Sequence, residues 1–326
     1  MVIFSKIWIL SDGKAGDEAQ CLGVADRLGG DVEIRRVAPR APWRWFMPYG
    51  PCDPEERPGV EGGPLAGPLP DLVIASGRRT VPYLRAIRFQ KGKRPFTVFL
   101  KDPRTSPRIA DFVWAPDHDS VRGDNVLKTL TSPHRVSREA LTEARAAPWP
   151  QIEGLEPPRV AVLIGGNSRH HTFLSHDIDR LFQGLLQVCQ TGASLMITTS
   201  RRTPEALATA LALFREDASV YFWDGSGKNP YISMLASADA VIATADSVNM
   251  VGEAAAIGKP IHVFHPSGGH RKISHFLDGL QALGLVSNFD GHLETGDRPP
   301  LDSTPEIADA IVRRFELWRE KTASQP

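Results

Sequence analysis

The sequence predicts an α/β chain of two Rossmann-like domains facing one ligand cleft, and three observations carry that expectation. Its 326 residues are about twice the length of an ordinary domain. Short apolar runs repeatedly end in Gly, Ser or Asp and give way to helical spacing, which marks βα units around a parallel sheet. A Pro-rich stretch, Ala146 to Pro158, divides the chain near its middle. Its prolines stop any helix and stiffen the connection, so domains are expected over 1–150 and 151–326.

In the first half the apolar runs place strands at Ile7 to Leu10, Val32 to Val37, Leu72 to Ala75, Thr97 to Leu100 and Phe112 to Ala115. In the second half they fall at Val160 to Ile164, Ser194 to Thr198, Ser219 to Trp223, Ala240 to Ala243 and Pro260 to Phe264. The opening run from Val2 to Leu10 reads as a first core strand, because Lys6 interrupts it and no small-residue cleavage site follows. Near the other end, Ile307, Ile311, Phe315 and Trp318 share one face at helical spacing and predict a helix over 304–322 that crosses back to the first domain. Between the first two domain-forming blocks, residues 38–70 are dense in Pro and Gly yet carry Trp43, Trp45, Phe46, Met47 and Tyr49. That load of apolar groups either packs on its own domain, covers part of the cleft or meets a protein partner.

Composition excludes several functions. Hydrophobic residues at 41% and charged residues at 23% are those of a folded globular protein, not of a disordered chain. Thirty-eight basic and 38 acidic side chains give a formal charge of +0, so no global field favours nucleic acid or an anionic membrane, and any anion site is local. Cys21, Cys52 and Cys189 form no CxxC pair and read as reduced, mostly buried thiols. No apolar run approaches the roughly 20 residues of a membrane span, and a cytoplasmic location is expected. Gly225-Ser226-Gly227-Lys228 fails as a P-loop, with Phe222 in the first glycine's place and Asn229 where Ser or Thr belongs. Asp117-His118-Asp119 lacks further ligands, so no metal is expected, and no GxSxG elbow points to a hydrolase.

The loops after strands carry the chemistry. Following the first, Ser11-Asp12-Gly13-Lys14-Ala15-Gly16-Asp17-Glu18 offers two glycines for close approach of a ligand, with Lys14 beside them. Asp17 and Glu18 would repel phosphate, which suits an acceptor-side or catalytic surface; Asp17 reads equally as a helix cap. Two Arg-Arg-Thr turns follow strands in the two halves, with Arg78 and Arg79 in one and Arg201 and Arg202 in the other. Their forked donors suit phosphate or carboxylate, or are solvated charge at a helix entry. In the second half, Gly165-Gly166-Asn167-Ser168-Arg169-His170-His171 is rich in donors and poor in bulk, as a diphosphate requires. Asp246 or Ser247 caps a helix whose first amides, near Ser247 to Asn249, would meet phosphate. Glu253 lies six residues after Ser247, roughly 9 Å along the axis at about 1.5 Å per residue, which approximates the span from diphosphate to ribose. The competing reading of Glu253 is an ordinary helix carboxylate.

Several of these blocks together resemble one family. Trp8 to Gly16, Ile74 to Thr80, Asn125-Val126-Leu127, Pro133 to Val136, Ile164 to His170 and Thr244 to Ser247 look like the mitochondrial fission "elongated mitochondria" family, over nearly the whole chain. That family includes plant members that help recruit a dynamin-related protein, and bacterial members described as predicted nucleotide-sugar epimerases. Its second half is similar to GT-B glycosyltransferases and to UDP-GlcNAc 2-epimerase. The resemblance implies a GT-B-like fold, with Gly165 and Gly166 in the diphosphate-side loop, Ser247 at the helix-start contact and Glu253 on the ribose. At Asp17 many relatives carry a histidine, a better base near neutral pH, which leaves Asp17 or His118 as the candidate base. The Ala-, Arg- and Pro-rich composition points to a bacterial member, for which a dynamin partner is not expected.

The combined expectation is a protein binding a nucleoside-diphosphate sugar, for glycosyl transfer, epimerisation or hydrolysis. Arg78 and Arg201 would neutralise a leaving group or anionic acceptor, and no cofactor is called for because helix N-termini and cations stabilise a departing diphosphate. The rival reading is a catalytically silent scaffold that recruits a partner through residues 38–70.

Overall fold

The computed structural model describes residues 4–90 and 92–323, so Val2 and Ile3 of the opening run lie outside the described residues. Six parallel strands form the first sheet: β1 (Lys6–Ser11), β2 (Asp31–Arg36), β3 (Leu72–Ser76), β4 (Phe96–Leu100), β5 (Phe112–Pro116) and β6 (Val126–Thr129). Helices α1 (Ala15–Leu28) and α2 (Val81–Arg88) follow β1 and β3. Ile7, Trp8, Ile9 and Leu10 are fully buried, because a parallel sheet is covered on both faces and its central strands therefore read as continuous apolar runs. The half-exposed β6 carries too weak a run to stand out in the sequence. The spatial order β2-β1-β3-β4-β5-β6 reverses between β1 and β3. At such a switch point the loops leaving adjacent strands part and open a crevice at the carboxyl edge.

The second unit, Val136–Asp302, begins with α3 (Arg138–Ala146) and α4 (Pro150–Glu153). It continues through β7 (Arg159–Ile164), β8 (His171–Thr172), α5 (Ser175–Gln190), β9 (Ser194–Thr199), α6 (Glu205–Ala212), β10 (Val220–Trp223) and α7 (Tyr231–Ser237). It ends with β11 (Ala240–Thr244), α8 (Val248–Ala255), β12 (Ile261–Phe264), β13 (Ser267–Gly268), α9 (Arg271–Ala282) and β14 (Val286–Asn288). The sheet order β10-β9-β7-β11-β12-β14 is again parallel and reverses between β7 and β11. β8 and β13 pair separately as a short antiparallel clip.

The units divide at Arg135 and Val136, ahead of the Pro-rich stretch that the sequence reading took as the boundary. The reason is local packing: α3 lies against α7, and Arg145 Nε donates to the Ala236 carbonyl at 3.0 Å. The prolines of that stretch also do not exclude a helix, since Pro150 starts α4 at a position where its missing N–H has no intrahelical role.

The last helix, α10 (Thr304–Ala323), belongs to the first unit and packs on α1. Its Ile307, Ile311 and Phe315 are buried beside Phe4, Ile9 and Phe96, with Trp318 packed at the edge of the same cluster. The Phe315 ring stands 4.7 Å from that of Phe4 and 5.7 Å from that of Phe96. The opposite face of the sheet is covered by α2 and by the 38–70 segment, whose Met47, Cys52 and Leu65 are buried there. Asp53, fully buried, braces that segment internally by accepting from Arg40 Nε at 2.9 Å and Nη2 at 2.7 Å, and Arg40 holds its carboxyl well below the usual carboxylate range; Tyr83 of α2 ties the segment down by donating to Glu56 Oε2 at 2.6 Å. Trp45, Phe46 and Tyr49 remain exposed. Among the described residues no helix is long and apolar enough to cross a membrane.

Candidate functional site

The loops singled out in the sequence leave the strands at the two switch points. In the second unit, Gly165 and Gly166 follow β7, the Ser200–Thr203 turn follows β9, and Asp246 and Ser247 follow β11. One buried carboxylate ties them together. Asp246 Oδ2 accepts from the Gly166 amide at 2.8 Å and from Arg202 Nη2 at 2.9 Å, while Oδ1 accepts from Thr244 Oγ1 at 2.7 Å. Thr244 Oγ1 in turn accepts the Gly165 amide at 2.8 Å. Arg202 Nη1 also donates to the carbonyls of Gly166 and Asn167, and Ser200 Oγ donates to the Gly165 carbonyl at 2.8 Å.

This geometry revises several expected roles. Asp246 does not cap α8, because its carboxylate is spent on the glycine loop. The amides of Gly165 and Gly166 donate within the protein, to Thr244 Oγ1 and Asp246 Oδ2. The two glycines are required by close approach instead: a Cβ at Gly165 would lie 2.3 Å from Asp246 Oδ2, and one at Gly166 2.0 Å from the Arg202 carbonyl oxygen. Asn167 Oδ1 accepts the Phe173 amide at 2.9 Å, and Ser168 Oγ accepts the amides of His170 and His171. The loop is thus self-braced, with Asn167, Ser168 and Arg169 at its exposed edge. Both arginines of the pair are exposed, and Arg202 is the one that reaches Asp246. The sequence turn contained both, and the choice between them depends on where Asp246 lies.

Ser247, the N-cap residue of α8, makes no capping hydrogen bond with its own side chain. The first turn of α8 lies at the carboxyl edge of the sheet, beside the Gly165–Arg169 loop, where a helix start favours negative charge. Asn249 lies in that first turn. Further along the helix, Glu253 Oε2 accepts from the Tyr231 hydroxyl at 2.5 Å. Burial pushes the Glu253 carboxyl up to about 7, against the opposing pull of the Tyr231 hydrogen bond. Tyr231 was not legible as a site residue, because it stands 22 positions away on a different helix. His171 is buried with Nδ1 unpartnered, and burial lowers its pKa. The β8–β13 clip brings His170 and His270 to 4.1 Å between ring centroids, and burial first, then His270 and Arg169, lower the His170 pKa.

In the first unit, the Ser11–Gly16 loop and the Ser76–Thr80 turn flank the β1–β3 switch point. Gly13 takes a left-handed φ of +84°, and its amide donates to Ser11 Oγ at 2.9 Å. Lys14 pairs with the buried Asp12 carboxylate at 2.9 Å, and Gly16 sits exposed in the first turn of α1. Asp17 does not cap α1: it is buried and ion-paired with Lys101. Lys101 holds a left-handed φ of +83° directly after β4, a strained position for a side-chain-bearing residue that local sequence does not announce. Glu18 is gripped by Arg36 at 2.7 and 2.9 Å, which lowers its carboxyl below the ordinary range. Arg78 and Arg79 are exposed on their turn, and Thr80 Oγ1 secures it by donating to the Gly77 carbonyl at 2.9 Å. His118 lies in the turn after β5 with its ring 3.9 Å from Asp119. Among the described residues no group of three or more His, Cys, Asp or Glu side chains is arranged to hold a metal ion.

The chain is similar in fold to solved structures. The chain aligns with the S. aureus MnaA–UDP co-structure at 10% identity and TM-score 0.55, covering 99% of each chain. It aligns with UDP-GlcNAc 2-epimerase from Neisseria meningitidis bound to UDP-GlcNAc at 11% identity and TM-score 0.52, covering 98% of this chain and 100% of that one. At such identity the likeness is one of fold: two Rossmann-like units of the GT-B type. Mitochondrial fission protein ELM1 from Arabidopsis thaliana is 31% identical over 278 residues, which cover 76% of this chain and 64% of the plant protein. The family model described as mitochondrial fission ELM1 matches residues 15–315. A match over that span, joined to the doubled parallel-sheet architecture, places this chain in the mitochondrial fission ELM1 family.

Proposed function

We propose that the second unit binds a nucleoside-diphosphate sugar at the β7–β11 switch point, for glycosyl transfer, epimerisation or hydrolysis of the sugar. The start of α8 at the carboxyl edge of the sheet, with Glu253 further along the same helix, carries this reading. The first-turn amides and Ser247 receive the phosphates, assisted by Asn249, Ser168 and Arg169. Glu253 receives the ribose hydroxyls. Gly165, Gly166, Asp246 and Arg202 hold the phosphate-side loop in shape, and Asn167 borders it. In the first unit, Gly13, Lys14, Gly16, Arg78 and Arg79 at the β1–β3 switch point form a separate surface suited to an anionic group. The fold neighbours solved with UDP and UDP-GlcNAc support the ligand class.

Thermal melting with a panel of nucleoside diphosphates and their sugars tests the proposal, because a ligand of the native state raises Tm by mass action. Calorimetry then measures Glu253→Ala. Its expected loss is about 1.5–3 kcal/mol of binding, the range for hydrogen bonds to a charged group. A parent protein that no nucleotide in the panel shifts overturns the reading.

A second reading has its own observation. Trp45, Phe46 and Tyr49 are exposed on a segment that Tyr83 of α2 ties to the first unit by donating to Glu56 Oε2 at 2.6 Å. As a scaffold, the chain would use these three side chains to engage a protein partner. Silence in the nucleotide panel, together with loss of partner capture on replacing all three, favours that reading.

A further inference from the structure

Glu253 can serve a ribose only if its carboxylate is aimed, and the side chain that aims it lies on another helix. Tyr231 is the first residue of α7, which follows β10, whereas Glu253 sits on α8, which follows β11. The phenol of Tyr231 donates to Glu253 Oε2 at 2.5 Å and so bridges the two helices. Burial, reinforced by the neighbouring Glu253, keeps the phenol protonated far above its ordinary range, so it remains a donor whenever the carboxylate is ionised. A glutamate has three rotatable side-chain bonds, and a strong hydrogen bond to one oxygen restrains where that oxygen lies and narrows the orientations open to the carboxylate.

We propose that Tyr231 is a positioning residue: by holding Oε2 it orients Glu253 so that Oε1 and the remaining lone pair of Oε2 accept both hydroxyls of a ribose, and the site thereby selects ribonucleotides over 2′-deoxyribonucleotides. The inference rests on Glu253 facing the ribose. A carboxylate so restrained meets a vicinal diol with two acceptors at once, and loss of the 2′-hydroxyl removes one partner from a group already desolvated by its burial. A carboxylate released from the phenol can turn to meet a single hydroxyl, and its discrimination falls.

The test is calorimetric titration of the whole chain with UDP, ADP and GDP and with their 2′-deoxy forms, comparing parent protein with Tyr231→Phe. The parent is expected to prefer the ribo form of its nucleotide by about tenfold or more, the value of one hydrogen bond to a charged acceptor. In Tyr231→Phe that preference falls at least several-fold, while the protein still binds. A merely structural role weakens both forms equally and leaves the ratio unchanged, and that result overturns the proposal. If Tyr231→Phe does not fold, Glu253→Asp draws the carboxylate away from the phenol by one methylene while keeping its charge. A ribo preference undiminished in Glu253→Asp is equally fatal. Absence of binding by the parent to any of the three nucleotides is a failure of the nucleotide-site reading itself, and is distinct from binding with no ribo preference.

Discussion

Replacement of Asp246 by alanine tests whether one carboxylate holds the phosphate-side loop together. The Asp246 side chain is wholly buried and receives three hydrogen bonds, from Gly166, Arg202 and Thr244. Truncation leaves the Gly166 amide and the Thr244 hydroxyl without an acceptor, at about 1–3 kcal/mol for each buried donor. Thr244 can turn its hydroxyl and recover part of that cost. The Arg202 side chain is 44% exposed, so water solvates it and its lost ion pair adds little. A net destabilisation of about 3 kcal/mol is expected for Asp246→Ala, and about half of that for Asp246→Asn, which keeps the volume but turns one acceptor into a donor. With roughly 2–4 °C of Tm per kcal/mol in a unit of this size, the alanine variant melts about 6–12 °C lower in differential scanning calorimetry. Arg202→Ala should cost no more than about 1 kcal/mol. The reasoning is refuted if Asp246→Ala melts within about 2 °C of the parent, or if Arg202→Ala costs as much, since the exposed ion pair would then outweigh the buried donors.

Four further outcomes are expected. Because the Glu253 carboxyl is raised from 4.5 to about 7, the native state holds a proton that the unfolded chain releases between those values. Its stabilising contribution is therefore complete below pH 4.5 and lost as pH rises through about 7, so Glu253→Gln should gain stability relative to the parent above pH 7 in melts at paired pH values. Affinity for a nucleoside-diphosphate sugar, whose phosphates are already ionised, should rise over the same interval as the carboxylate forms, and Glu253→Gln should abolish that pH dependence. Phe315→Ala should destabilise the first unit by about 3 kcal/mol in urea titration, because it empties the centre of the cluster formed with Phe4, Phe96 and Trp318; a cost below about 1 kcal/mol would show that α10 is not part of that core. Lys101→Gly and Lys101→Ala both remove the partner of Asp17, but only glycine relaxes the left-handed backbone, so Lys101→Gly should be the more stable by about 1 kcal/mol; equal stabilities would mean that the position is unstrained.

Much of the architecture was legible because a parallel sheet is buried on both faces and writes itself as apolar runs. Every run read as a strand in the two halves corresponds to one, from Lys6–Ser11 to Ile261–Phe264, and the expected face of Ile307, Ile311, Phe315 and Trp318 belongs to the observed α10. Of the four edge strands, Asp31–Arg36 and Val220–Trp223 were found through their alternating or aromatic residues, whereas Val126–Thr129 and Val286–Asn288 escaped because four and three half-wet residues carry too few apolar side chains to form a run. Family membership was likewise carried by local blocks of sequence. What only the tertiary structure decided is which polar group answers which. Asp246, Arg202 and Gly166 come from three separate β-to-α connections, so the glycines proved to accommodate Asp246 and the Arg202 backbone. Asp17 meets Lys101 across 84 positions, and Glu253 meets Tyr231 across 22. Periodicity records whether a side chain faces oil or water, whereas a hydrogen bond depends on two groups meeting within about 3 Å, and chain separation says nothing of that until the strands are ordered in the sheet.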